Sequence, residues 1–196
     1  MNVIMMHGYP ATGKTFLSKK LENNLKEKYS VITVSTLEFR KELNLFDFNS
    51  DAQRNLVYDL LSKKVEEVIN KKSHEIIIVD GNFNNRKRRE RLYSVLKDAK
   101  FYIINCSVSN EETIRRRMNE RQKEMHIMEN KAATMDLYYL IKNSGDDFME
   151  DEIVKKGRVN IIKFNSEKNS IEKATITKES AIQDINNKIM SIIEKK

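Results

Sequence analysis

The sequence predicts an α/β domain built on a parallel sheet of five strands, with helices on both faces and a helical lid. Short apolar runs rich in β-branched residues recur along the 196-residue chain, and segments with helical periodicity lie between them. The runs show little alternation of apolar and polar residues, which indicates strands that are buried on both sides. Regular alternation of such strands with helices is typical of a three-layer fold.

The predicted elements follow one another along the chain in that alternating order. The strands are Asn2–Met6, Val31–Ser35, Glu75–Asp80, Phe101–Cys106 and Asn160–Phe164. Apolar residues three or four apart mark the helix faces that we expect against the sheet. These are Leu17, Leu21 and Leu25; Leu56, Leu60, Leu61, Val65, Val68 and Ile69; Leu92, Val95 and Leu96; and Ile182, Ile185, Ile189, Ile192 and Ile193.

The stretch 122–157 interrupts the alternation before the last strand. It is rich in Met, Lys and acidic residues. Two interpretations stay open: mobile helices that form a lid over the site, or an ordinary helical excursion. In both, residues 1–196 form one domain, which the chain length favours.

The basic composition indicates an anionic partner. The formal net charge is +7 and the isoelectric point is about 9.3. Eight of the eleven arginines lie in two clusters, RKRRER at residues 86–91 and RRRMNER at residues 115–121.

The remaining composition favours a cytoplasmic protein. The single cysteine, Cys106, excludes an internal disulfide, and we expect it to be a small buried residue in a strand. No stretch approaches the roughly 20 apolar residues of a membrane span. The apolar start is short and lacks a basic leader, so we expect no signal peptide.

The segment GYPATGKT, residues 8–15, lies between the first predicted strand and the first predicted helix. It fits the phosphate-loop pattern G-x-x-x-x-G-K-[ST] at every fixed position. Its glycines let backbone amides approach phosphates closely, while Lys14 reaches the β- and γ-phosphates and the Thr15 hydroxyl binds Mg²⁺. We therefore expect the whole loop to bind a magnesium nucleotide: Gly8, Tyr9, Pro10, Ala11, Thr12, Gly13, Lys14 and Thr15.

ATP is the expected nucleotide. The sequence has neither a suitably placed D-x-x-G loop nor an [NT]-K-x-D segment of the kind that recognises guanine.

Two polar residues follow the third predicted strand. Asp80 stands at its carboxyl end, where open α/β folds bind ligands, and an acid there typically holds Mg²⁺ directly or through water. Asn82 is a candidate to orient a substrate hydroxyl, and an ordinary turn residue is the alternative.

Four segments together resemble the small AAA-type P-loop kinases related to polynucleotide 5'-kinase, adenylylsulfate kinase and seryl-tRNA(Sec) kinase. They are GYPATGKT, EFR at residues 38–40, VDGNFNNRKRRERL at residues 79–92 and SVSNEETIRRRMNER at residues 107–121. The resemblance covers about the first 120 residues, and ATMDLYYLIK at residues 133–142 resembles the helix that follows the lid in these proteins. It implies a P-loop NTPase fold.

One departure from that family concerns the general base. The family has an Asp three residues before the Arg that steadies the substrate; here Arg40 matches the Arg, but Leu37 stands at the Asp position. The base is then Glu38, Asp80 or no residue at all. On a helix Glu38 points about 100° away from Leu37, so we prefer Asp80.

The resemblance gives the arginine clusters candidate roles. It places Arg117 and Arg121 in the lid, where guanidinium groups would stabilise charge on the transferring phosphate. Arg86 begins a helix, where positive charge is unfavourable, so an anionic substrate is one partner that would offset it. Glu90 and solvent are the alternative.

The sequence therefore predicts an ATP-dependent phosphotransferase that uses a hydroxyl-bearing anionic acceptor. Three alternatives stay open: an RNA or polynucleotide 5'-hydroxyl or a tRNA as acceptor, a small molecule as acceptor, and an ATP-dependent switch that is not a kinase.

Overall fold

The computed structural model describes residues 1–96, 99–124, 134–146, 159–175 and 183–194. The strands are β1 Asn2–His7, β2 Val31–Ser35, β3 Ile76–Asp80, β4 Lys100–Ser107, β5 Val159–Asn165 and β6 Ser170–Thr175. The helices are α1 Lys14–Leu25, α2 Thr36–Glu42, α3 Asp51–Lys71, α4 Arg86–Val95, α5 Glu111–Glu124, α6 Met135–Asn143 and α7 Gln183–Glu194.

Within these ranges the sheet has six strands in the order β2-β3-β1-β4-β5-β6. The first five are parallel and match the five predicted strands. The predicted count is nevertheless wrong, because β6 pairs antiparallel with β5 at the edge of the sheet. Its sequence SIEKAT has no apolar run, since only one face of this edge strand is covered and Ile171 alone packs against the core.

Two hydrophobic layers cover the sheet, as the continuous apolar strands predict. Successive residues of β1 alternate between them: Ile4 and Met6 pack with α1 and α7, whereas Val3 and Met5 pack with α3 and α4. Eighteen strand and helix positions of these two layers are completely buried, which is the reason that the strands tolerate so few polar residues. They are Val3, Ile4, Met5, Met6, Leu21, Leu25, Leu61, Val65, Ile76, Ile77, Ile78, Val79, Leu92, Tyr102, Ile104, Ile162, Ile189 and Ile193.

The helix faces agree with prediction except in α3. Leu17, Leu21 and Leu25 of α1 are buried as expected. In α3 the buried face includes Val57 and Tyr58, while the predicted Leu56 is 44% exposed. Ile182 and the side chain of Ile185 lie outside the described residues.

The stretch 122–157 is partly helical, and residues 125–133 and 147–158 of it lie outside the described residues. Helix α6 packs on α5 and on the phosphate loop through Tyr138, whose ring meets that of Tyr9 edge-on at 6.1 Å. Within the described ranges, none of the helices has the length and apolar character needed to span a membrane.

Buried Arg89 joins the end of α6 to the loop that follows β3. Its Nη1 donates to the carbonyl oxygens of Phe83 at 2.9 Å and Asp146 at 3.3 Å. The Asp146 amide in turn donates to the Asn84 carbonyl at 2.7 Å. Two segments far apart in sequence are therefore held together at the carboxyl edge of the sheet.

We expect Arg89→Met to lower the free energy of unfolding by roughly 2–4 kcal/mol, because two buried carbonyls lose a charged donor. Urea denaturation measures this change. Arg91→Met is the matched control on the same helix; its exposed pairing with Asp59 is expected to contribute less than about 1 kcal/mol. Equal losses in the two variants would contradict the prediction.

Candidate active site

The phosphate loop connects β1 to α1, and its conformation depends on two glycines. Gly8 has φ +133°, and a Cβ there would lie 2.3 Å from the Cys106 carbonyl oxygen of β4. Gly13 has φ +86° and directly precedes α1. Side chains at either site would clash or strain the backbone, so the loop can pack tightly against the sheet only with glycine.

Lys14 is held inside the loop at the start of α1. Its Nζ donates to the Tyr9 carbonyl at 2.6 Å, and the residue is only 8% exposed. Burial lowers the pKa of Lys14 to about 8, although the charge of Asp80 opposes this shift. An anion bound beside Lys14 would therefore stabilise its charged form and raise its pKa again.

Asp80 ends β3 beside the first turn of α1. It is 5% exposed, and the Thr15 hydroxyl donates a hydrogen bond to its carboxylate. Burial raises the pKa of Asp80, whereas this hydrogen bond and the charge of Lys14 lower it. The expected pair of magnesium ligands is thus brought into direct contact.

These oxygens fit the hard ligands that Mg²⁺ prefers. In the described part of the chain, no group of three or more His, Cys, Asp or Glu side chains could hold a metal by itself. Thr15 and Asp80 could therefore hold the ion only together with phosphate oxygens and water, which is the usual arrangement for Mg²⁺.

A cleft of about 630 Å³ extends from the phosphate loop along the carboxyl edge of the sheet. Most of the predicted site residues line it, and Gly8, Tyr9 and Thr12 support the loop from behind. The predicted residues in its wall are Pro10, Ala11, Gly13, Lys14, Thr15, Arg40, Asp80, Asn82, Arg117 and Arg121.

Leu37 and Glu38 on α2 differ in their relation to the cleft. Leu37 lines it, while Glu38 is exposed and is not part of the wall. Burial, together with the charges of Glu22 and Glu42, raises the pKa of Glu38. Of the two candidate bases, Asp80 lines the cleft and Glu38 does not, and the role of each stays a prediction.

The cleft wall away from the phosphate loop carries three arginines, of which only Arg40 was a sequence candidate. Arg40 donates to the Leu45 carbonyl at 2.6 Å and stacks on Phe48, 4.4 Å from the ring centre. Arg54 of α3 donates to the Phe48 carbonyl at 2.9 Å, and Arg88 of α4 stacks on Tyr58 at 4.6 Å. Burial lowers the pKa of Arg40, and the charges of Arg88 and Arg54 lower it further. Arg54 Nη2 also donates to the Asp51 carboxylate at 2.5 Å.

Sequence reasoning missed Arg54 because it stands outside every motif. Arg88 belongs to the RKRRER cluster at residues 86–91, but the sequence of this cluster does not indicate which of its arginines faces the cleft. An available signal was the helical spacing that puts Arg54 and Tyr58 on one face of α3.

The lid arginines lie on one face of α5, one turn apart. Arg117 Nη1 donates to the Ala11 carbonyl at 3.1 Å and to the Ser166 hydroxyl at 2.8 Å, so it ties the phosphate loop to the β5–β6 turn. Arg121 lies near enough to Lys14 and Asp80 for its charge to lower the pKa of both. The structure thus brings both arginines to the cleft, and their catalytic role stays a prediction.

Arg86 lies outside the cleft wall. Its Nε donates to Glu90 at 2.9 Å, and its backbone amide donates to the Asp146 carboxylate at 2.8 Å. Acidic groups therefore offset the positive start of α4, which was the alternative explanation, and the structure offers no support for substrate binding by Arg86.

A glycine-rich loop between the first strand and first helix of a parallel sheet, with a lysine and an aspartate at one cleft, defines a P-loop NTPase. The chain belongs to the AAA domain family, whose model matches residues 3–138. No curated protein matches the sequence.

Three solved structures share the fold. One from Chloroflexus aurantiacus, described as a candidate kinase, is 18% identical with a TM-score of 0.62, covering 95% of this chain and 97% of that one. A Janibacter sugar kinase is 12% identical with a TM-score of 0.59, covering 83% and 85%. An APS kinase from Mycobacterium tuberculosis, solved with AMPPNP and APS, is 21% identical with a TM-score of 0.51, covering 64% and 76%. At these identities the likeness establishes the fold alone.

We expect the affinity for a nucleoside triphosphate to vary little between about pH 7 and 8 and to fall above pH 8. Lys14 has a pKa of about 8, and a bound triphosphate would raise that pKa, so binding at higher pH must take up a proton. The affinity should fall by up to about tenfold per pH unit, as titration calorimetry between about pH 7 and 9.5 can measure.

Lys14→Arg is the control for this pH dependence, because arginine stays charged throughout the range. We expect weaker binding that no longer varies with pH. A flat profile for the wild-type protein would contradict the assignment to Lys14.

Proposed function

We propose that the protein is an ATP-dependent phosphotransferase that moves the γ-phosphate of ATP to a hydroxyl of a small anionic acceptor. The observation that supports this most is that one cleft is lined by the phosphate loop, by Asp80 and by Arg40, Arg54 and Arg88. A nucleotide hydrolase requires the phosphate loop of such a cleft but does not require the wall of arginines.

In the proposed reaction the acceptor oxygen attacks the γ-phosphorus. The new oxygen–phosphorus bond forms as the bond from the γ-phosphorus to the β–γ bridging oxygen breaks, and its electron pair leaves with ADP. We assign the acceptor's proton to Asp80, the buried carboxylate in the cleft. Lys14, Arg117 and Arg121 would stabilise the negative charge on the phosphoryl oxygens.

Mg²⁺ would neutralise charge on the β- and γ-phosphates when bound. Thr15 and Asp80 are the residues proposed to hold it, and their hydrogen bond puts both oxygens on the same side of the phosphate loop. A carboxylate has two oxygens, so that one can face the metal while the other accepts a proton.

The partners of the arginines favour a small acceptor over RNA. An RNA surface needs several exposed cations without internal partners. Here four arginines of the two clusters pair with acids: Arg86 with Glu90, Arg91 with Asp59, Arg115 with Glu112, and Arg116 with Glu120. Arg40, Arg54 and Arg88 line a cleft of limited size, and Arg54 also pairs with Asp51 there.

Leu37 supports a second candidate function, an ATP-dependent switch that hydrolyses ATP slowly and transfers no phosphate. It lines the cleft where related kinases have an acid. Coupling of ATP hydrolysis to the affinity for a partner would favour the switch over the kinase.

We expect transfer of ³²P from γ-labelled ATP to at least one acceptor among sugar phosphates, nucleotides and short RNA with a free 5'-hydroxyl. Lys14→Ala should abolish transfer because it removes the charge that meets the γ-phosphate. ADP formation without any labelled product across the panel would contradict the kinase assignment, and labelled RNA alone would contradict the small acceptor.

Asp80→Asn should reduce the rate of transfer by on the order of 100-fold or more, because an amide cannot accept the acceptor's proton. The measurement is single-turnover transfer at saturating ATP. Asp59→Asn is the matched control, since Asp59 pairs with Arg91 away from the cleft. Retention of more than about a third of the activity in Asp80→Asn would exclude Asp80 as the base.

A further inference from the structure

Asn84, a residue of the cleft wall, has a buried amide without a hydrogen-bond partner among the described residues. The residue is 5% exposed, and neither its Nδ2 nor its Oδ1 has such a partner. Buried polar groups are nearly always paired in folded proteins, so an unpaired amide on a residue that lines a cleft indicates a ligand group that completes it.

The backbone around Asn84 is fixed by the contacts that join α4 to the end of α6. Its carbonyl accepts from the Asp146 amide at 2.7 Å, and a Cβ added at Gly145 would lie 3.4 Å from the Asn84 Cβ. The neighbouring Arg89 donates to both ends of this junction. The backbone of Asn84 is therefore held in place at the junction of α4 and α6.

Arg88 adds a positive charge four residues further along the chain, in the first turn of α4. Its guanidinium lies over the Tyr58 ring, its buried Nε lacks a partner among the described residues, and it lines the same cleft. This part of the wall therefore offers a charged donor together with a neutral group that can both donate and accept.

We infer that Asn84 and Arg88 form an acceptor subsite for an anionic polyol, in which the Asn84 amide binds a vicinal diol and Arg88 binds the anionic group. A vicinal diol suits the amide because one hydroxyl can donate to Oδ1 while the other accepts from Nδ2. This inference rests on the proposed function for the identity of the ligand as phosphate acceptor, although binding itself requires no transfer.

Two sources share this chemistry: a free sugar phosphate and the ribose of a nucleotide. Matched ligands distinguish them, namely ribose 5-phosphate against 2-deoxyribose 5-phosphate, and AMP against 2'-deoxy-AMP. Calorimetry with AMPPNP and Mg²⁺ present would keep the nucleotides away from the phosphate loop. The binding of AMPPNP is measured first, so that a failure of the proposed function appears as a separate result.

For at least one pair, the wild-type protein is expected to bind the diol about tenfold more tightly than the deoxy compound, the ratio that one or two hydrogen bonds typically give. Preference within the sugar pair alone identifies a free sugar phosphate, and preference within the nucleotide pair identifies ribose. Equal affinities within both pairs, or no binding of either diol, would overturn the inference.

Asn84→Leu provides the test on the protein side, because leucine has a similar volume and no polar atoms. The diol preference should disappear, so that the two members of a pair bind within about twofold of each other. The melting temperature should stay unchanged or rise, since an unpaired buried amide is replaced by an apolar group. A diol preference that survives this substitution, or a marked fall in melting temperature, would show that Asn84 serves the fold instead.

Discussion

The hydrogen bond from the Thr15 hydroxyl to the Asp80 carboxylate is the interaction on which the site depends. It joins the first turn of α1 to the end of β3, and β1 and β3 are neighbours in the sheet. The phosphate loop can come this close only because Gly8 packs against the Cys106 carbonyl of β4. Lys14 donates to the Tyr9 carbonyl and is buried, as Asp80 is. Burial lowers the pKa of Lys14 and raises the pKa of Asp80. A bound anion would stabilise the charged form of Lys14, and a bound divalent cation would stabilise the charged form of Asp80. Each would offset part of the free energy that burial of the charge costs.

Most of the described arginines have partners within the protein. Arg89 and Arg117 hold segments together through backbone carbonyls, one at the α4–α6 junction and one between the phosphate loop and the β5–β6 turn. Arg86, Arg115 and Arg116 pair with acids on their own helices, and Arg91 pairs with Asp59 of α3. The arginines that face the cleft are spread around it, which suits an anionic ligand that is enclosed by the protein.

Leu37 gives the site a chemical asymmetry. The wall opposite the phosphate loop has cations, aromatic rings and an unpaired amide. Leu37 instead puts an apolar side chain where the kinases that the sequence resembles have an acid. In the proposed reaction Asp80 accepts the proton, and burial raises its pKa. A raised pKa makes a carboxylate a better proton acceptor, which supports the proposal that Asp80 serves as the base.

The sequence by itself determined the five parallel strands, the phosphate loop and the position of Asp80, because each depends on a local pattern or on the period of apolar residues. It could not predict β6, since an edge strand with one covered face carries no apolar run. Nor could it tell which arginines of a cluster pair on the surface, are buried or face the cleft. Arg54, Arg88 and Asn84 meet in one wall only through the packing of α3, α4 and α6. Tertiary structure decided these roles because they depend on contacts between residues far apart in the chain, and local spacing carries no information about such contacts.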